Sequence, residues 1–224
     1  MIADYKLKNI DSEDLGDLLK KVETSFDIKF GVAELANIST FGQLCNHISN
    51  KIQLEHFNDC TSQQAFYKLR DSISSTLQID NKSISTDLSL VAILPRHSRR
   101  SQIKKWETQL GIKLNILRPQ HWVTITLAII FLTSLLTLSV NWRIGLLGVV
   151  LSISGLRLAF KTGNELDLQT VGQVAEKMMR ENYVRSRRNP KTFNKNEIEK
   201  VMADLFRNDL FIDMNDLTKD PKYV

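Results

Sequence analysis

The chain has 224 residues and a net charge of only +5, enough for one or two small domains beside any membrane segment. With so mild a basic balance, no nucleic-acid motif and no aromatic interleaving, even the basic stretch HSRRSQIKKW does not point to a nucleic-acid partner. Two cysteines, Cys45 and Cys60, supply no disulfide framework, and the opening MIADYKLKNIDSED lacks the apolar centre of a cleavable signal peptide.

The first predicted helix is Ser12–Phe26, with Leu15, Leu18, Leu19, Val22 and Phe26 on one face and Asp11 or Ser12 as its cap. Thr40 opens a second, with Phe41, Leu44, Cys45 and Ile48 inward. Residues 62–77 repeat the pattern through Phe66, Leu69, Ile73 and Leu77, and residues 98–110 carry Ile103, Trp106 and Leu110. Residues 79–94 and 211–224 read as structured loops. After the apolar region, Thr170 starts a helix with Val171, Val174, Ala175 and Met178 inward. Residues 185–195, RSRRNPKTFNK, read as a polar linker, and residues 194–210 as a final helix with Ile198, Val201, Met202, Leu205 and Leu210 inward. No alternating run predicts a sheet.

Residues 122–160 are expected to form a two-helix transmembrane hairpin. WVTITLAIIFLTSLLTLSV has no charge, proline or glycine and matches the ~30 Å hydrocarbon thickness of a bilayer at ~1.5 Å per residue. IGLLGVVLSISGLRLAF follows after only Asn141, Trp142 and Arg143, so the two spans are antiparallel and both soluble flanks lie on one side. A buried hairpin in a soluble core fits less well, because the first run has no polar face. Lys and Arg concentrate in both flanks, and the tip has only Arg143. The bias predicts an inner-membrane protein with both termini cytoplasmic and with anionic lipid headgroups as partners near Arg96–Lys105. Gly145, Gly148, Ser152 and Gly155 form a small-residue stripe for packing inside the hairpin or for an oligomer.

DSEDLGDLLKKVETSFDIKF with AELANISTFGQLCNHI resembles the second, third and fourth helices of an acyl carrier protein. Val22-Glu23 and Phe26 fit the end of the second helix, and Ile38-Ser39-Thr40-Phe41 the opening of the last. QAFYKLRDSISSTLQIDNKSISTDLSL and NEIEKVMADLFRNDLFIDMNDLTKDPKYV both resemble that family's first helix and following loop. LPRHSRRSQIKKWETQLGIKL resembles a second helix through Trp106-Glu107 and Leu110, and TVGQVAEKMM a fourth. The resemblance implies an all-α protein of small acyl-carrier-like bundles plus the hairpin. Residues 1–56 would supply helices two to four of one bundle, completed by its first helix in 194–224 packing on 1–56. Residues 60–118 would supply helices one and two of the other, completed by the fourth in 168–184, with the hairpin 122–160 inserted between.

The same resemblance places the family's 4'-phosphopantetheine attachment at Ser12, preceded by Asp11, and puts Arg96 at the corresponding position of the second bundle. Glu13 replaces the family's leucine after the serine, and Gly16 interrupts the helix. From the residues alone, Ser12 is also an ordinary helix cap. The resemblance therefore implies a membrane-anchored, non-enzymatic interaction module with an unidentified protein partner and no cofactor, or else an active phosphopantetheine-bearing carrier. Cys45, His47, His56 and Cys60 do not read as a zinc set, since Cys45 and His47 point apart on a helix. A small membrane enzyme of lipid metabolism, with Cys60 as nucleophile and His56 four residues away as base, is the remaining alternative.

Overall fold

The apolar faces that the sequence distributes over short helices are gathered into one continuous core in a computed structural model, which describes residues 6–31, 33–212 and Leu217. In chain order the helices are α1 (Ser12–Phe26), α2 (Phe41–Lys51), α3 (Thr61–Leu77), α4 (Leu90–Ile93), α5 (Arg99–Leu110), α6 (His121–Thr137), α7 (Trp142–Thr162), α8 (Val171–Glu181), α9 (Tyr183–Ser186) and α10 (Lys195–Leu210). The described residues also form a 3₁₀ turn, Leu7–Asn9, before α1 and four two-residue strands. β1 (Glu55–His56) pairs in parallel with β4 (Thr192–Phe193), and β2 (Leu117–Arg118) pairs antiparallel with β3 (Glu165–Leu166). The fold is mostly helical. The loops expected at 79–94 also hold a 3₁₀ turn, Asn81–Ser83, and α4. The segment 194–224 lies outside the described residues beyond Ile212, Leu217 excepted.

Capping chemistry sets the helix starts. Asp11 accepts from Glu13 N at 2.9 Å, Thr40 accepts from Gln43 N at 3.3 Å, and Thr170 forms a full capping box with Gln173. α10 packs on α1 and α2, and α3 on α5 and α8. Phe41 and Phe206 meet edge to face at 5.0 Å in the first group, both fully buried. Trp106, Leu69 and Val174 are fully buried in the second. The groups meet where α1 and α10 touch α8. There Ser25 Oγ donates to the Arg180 carbonyl at 2.7 Å and accepts from Tyr183 N at 3.1 Å, beside a Phe26–Tyr183 ring contact.

The two groups repeat one another in detail. α1 and α5 both end in a left-handed residue, Asp27 and Gly111. Glu23 accepts from the backbone N–H of Phe30 at 2.7 Å, and Glu107 from that of Leu114 at 2.8 Å. Gln43 and Gln173 each accept from the N–H four residues back, that of Ser39 and of Gln169. Lys6 bridges Thr40 as Ser89 bridges Thr170. α3 and α10 both close on a left-handed residue, Gln78 and Phe211. Where the first group has the short connection 28–40, the second carries β2, α6, α7 and β3.

α6 and α7 lie antiparallel and in close contact. A Cβ on Gly148 would sit 2.1 Å from Ser134 Oγ, one on Gly145 2.7 Å from the Leu138 backbone, and one on Gly155 2.9 Å from Leu127. Gly145 and Ser152 are buried against α6, so the small-residue stripe is occupied within the chain. The α6 hydroxyls bond back along their own helix, Thr126 to Trp122 O and Thr133 to Ile129 O, so they need no outside partner. Among the described residues, every large exposed hydrophobic except Phe57, Val91 and Phe211 lies between Trp122 and Phe160. α7, at 21 residues, is long and apolar enough to cross a membrane, whereas α6 is apolar but has only 17.

Candidate functional site

Ser12 is the first residue of α1 and is solvent-exposed. It does not cap the helix; the Asp11 carboxylate does, which leaves the Ser12 side chain without that duty. Around it stand exposed Glu13, Asp14 and Asp17, a negative surface at the positive end of the helix dipole. Lys20 hydrogen-bonds Asp17 at 2.8 Å and holds its carboxyl below the usual value. A Cβ at Gly16 would meet nothing within 4 Å, so the glycine answers to no packing demand.

Arg96, Ser12's counterpart in the second group, has a different task. It pairs with Glu165, and its carbonyl accepts from Asn164 Nδ2 at 2.7 Å. Arg99, nearly buried, donates to the carbonyls of Leu94 at 3.2 Å and Asn164 at 2.6 Å. Arg118 pairs with Asp167 at 2.8 Å. Part of the basic cluster beside the apolar helices is therefore used inside the protein, to dock the chain that returns from α7. Gly163 makes the docking possible: a Cβ there would lie 2.5 Å from the Arg118 carbonyl carbon.

The remaining residues considered from sequence are dispersed. Cys45 is in the core, and Cys60 is exposed just before α3. His56 lies in β1, so it shares no helical face with Cys60, and its Nδ1 accepts from Lys195 N at 3.3 Å. His47 Nε2 is 2.7 Å from Glu34 Oε1. Glu34 also accepts from Gly31 N at 2.5 Å and from Lys51 Nζ at 2.6 Å. Those bonds, the backbone one foremost, hold its carboxyl down at about 2. Among the described residues, no three His, Cys, Asp or Glu side chains are grouped to hold a metal ion.

The stretch 185–195, expected as a polar linker, is solvated only in part: Arg185, residues 188–191 and Lys195 are exposed, whereas Ser186, Arg187, Thr192, Phe193 and Asn194 are buried. Arg187 is fully buried. Its guanidinium donates to Thr61 Oγ1 at 2.5 Å, to Thr192 Oγ1 at 3.2 Å and to the Phe57 carbonyl at 3.3 Å, and it pairs with Asp59. Glu197, 3.8 Å from the guanidinium, also accepts from Thr61 N at 2.9 Å and from the Tyr183 hydroxyl at 2.9 Å. Burial pushes the Tyr183 hydroxyl up to about 12, so it stays a neutral donor. This network ties the starts of α3 and α10 together. It reads as a structural joint, since every polar group in it is spent on another.

The comparisons with protein-family models, curated proteins and solved structures returned no match to this chain.

Proposed function

We propose that this chain is an acyl-carrier-like interaction module anchored in the inner membrane by the α6–α7 hairpin, with both termini and all other helices in the cytoplasm. It acts by docking a protein partner and is non-enzymatic. The observation that carries the reading is the order of the pieces: α10 closes on α1 and α2, and α3 on α5 and α8, giving two repeats of one helical unit, with the apolar hairpin inserted in the second. The exposed apolar surface from Trp122 to Phe160 is far more than a soluble monomer leaves in water, and it supports two spans. The basic flanks support the cytoplasmic side. Reporter fusions at the two termini should both read cytoplasmic; opposite readings overturn the two-span hairpin.

One observation favours the active-carrier variant. Ser12 is exposed at a helix start and relieved of capping by Asp11, as an attachment serine needs to be. Co-expression with a phosphopantetheinyl transferase and intact-mass measurement decides between the two. A gain of about 340 Da, abolished by Ser12→Ala, makes the protein an acyl shuttle. An unchanged mass leaves the docking module.

A further inference from the structure

The basic cluster beside the hairpin divides into two sets. Arg96, Arg99 and Arg118 face carboxylates or carbonyls of the returning chain. No carboxylate among the described residues pairs with Lys104 or Lys161. These two lysines line one cleft of about 510 Å³ between the first turns of α5 and the end of α7, together with Arg100, Ser101, Leu117 and Phe160. Arg100 donates to the Lys161 carbonyl at 2.5 Å, which fixes the two walls to each other. The one carboxylate in the lining, Glu107, is turned to the Leu114 N–H at 2.8 Å. Phe160 is 56% exposed on the apolar helix, at the edge of this cleft. Arg157, also exposed, precedes Lys161 by one helical turn on the same face, roughly 6 Å deeper along α7.

We propose that this cleft binds one anionic phospholipid: the phosphate between Lys104 and Lys161, the glycerol against Ser101 and Leu117, and an acyl chain along Phe160 and the outer face of α7. The inference rests on the membrane reading given above. Two unpaired cations with an apolar wall beside them match a negatively charged headgroup continued by a hydrocarbon chain, and match neither a free anion nor a neutral lipid. Arg157 would snorkel toward the same headgroup layer. The site would fix the angle at which the soluble helices stand on the bilayer, because α5 is a core helix and α7 is the anchor.

The test uses the full chain in detergent and native mass spectrometry, titrating phosphatidylglycerol against phosphatidylcholine. One phosphatidylglycerol should be retained in preference to phosphatidylcholine, and Lys104→Ala with Lys161→Ala should weaken its retention about thirtyfold. Lys20→Ala with Lys29→Ala, two exposed lysines that do not line the cleft, should leave it unchanged. Equal retention of the two lipids, or no effect of the double substitution, overturns the site. Displacement of the lipid by millimolar inorganic phosphate alone would make this a free-anion site and overturn the lipid assignment. Alkaline extraction of cell membranes is read separately. A chain that stays in the pellet while the lipid preference fails leaves the anchor standing, whereas a chain released to the supernatant removes the anchor itself.

Discussion

Phe206→Ala tests whether the last helix completes the first. Phe206 lies in α10, and its ring is fully buried against Phe41 at the start of α2, far away in sequence. Removing a fully buried phenyl ring loses about 1.5–3 kcal/mol of transfer free energy. The cavity left behind raises the cost to about 3–5 kcal/mol, because α1 and α2 are themselves pinned by Leu18, Val22 and Ile48 and can collapse only in part. The edge-to-face contact contributes about 0.5–1.5 kcal/mol of that and would appear as coupling in a double-mutant cycle with Phe41→Leu. Hydrogen-exchange mass spectrometry on the detergent-solubilised protein gives the location of the damage. Amides in α1 and α2 should lose protection together with those of α10, while α3, α5 and α8 lose less. Loss confined to α10, with α1 and α2 as protected as before, would refute the pairing of the chain's two ends.

Gly16→Ala should stabilise α1 by about 0.5–1 kcal/mol, visible as a higher denaturant midpoint, because the site is helical and an added methyl meets nothing. A lower midpoint would show that something requires the glycine. Glu34 is ionised in the folded state down to about 2, against an ordinary 4.5, so its bonds contribute stability that is complete above about pH 4.5 and is lost as pH falls toward 2. Exchange protection around Gly31 and residues 33–40 should fall across that window, and fall less in Glu34→Gln, where only the Glu23 carboxylate that holds Phe30 N is left to titrate. A Glu34 carboxyl that titrates near 4.5 by NMR would contradict the geometry.

The helices were legible because their signals are local. An apolar face with period 3.6 and a capping side chain at Thr40, Thr170 or Asn194 are both written within a dozen residues. The roles of Glu23 and Glu107 were half legible: the Val-Glu and Trp-Glu pairs stand out, but their bonds to Phe30 N and Leu114 N belong to loop geometry. Arg187 was not legible at all. A run with three arginines, Asn and Pro has the composition of a solvated linker, and only partners remote in sequence, Asp59, Thr61 and Glu197, make its burial affordable. At the candidate site, the resemblance to acyl carrier proteins pointed to Ser12, whereas the choice between Ser12 and Asp11 as cap depended on backbone angles. The cleft between α5 and α7 was only partly legible, since the basic cluster gave no sign of which cations are spent on Glu165 and Asp167. One further signal was available: Leu77-Gln78-Ile79-Asp80 returns as Leu210-Phe211-Ile212-Asp213, and Ile84 and Leu217, at matching places beyond, are both buried.

The insertion of the hairpin has a mechanical consequence. An anchor joined to a domain through a flexible tether leaves the domain free to tumble. Here the hairpin leaves and re-enters the helical body through two chains held side by side. β2 and β3 pair, Arg118 grips Asp167, Arg96 and Arg99 converge on Glu165, and Gly163 lets the backbones touch. β2 and β3 also lead straight into the core, through Ile116 on one side and Val171 on the other, both buried. Rotation of the body against α6 and α7 would have to break several of these contacts together. The exposed start of α1, with Ser12, is fixed to the same body through Ser25, Phe26 and Tyr183. On the membrane reading proposed above, a partner docking at Ser12 would meet a surface whose height and orientation relative to the bilayer are set by these contacts.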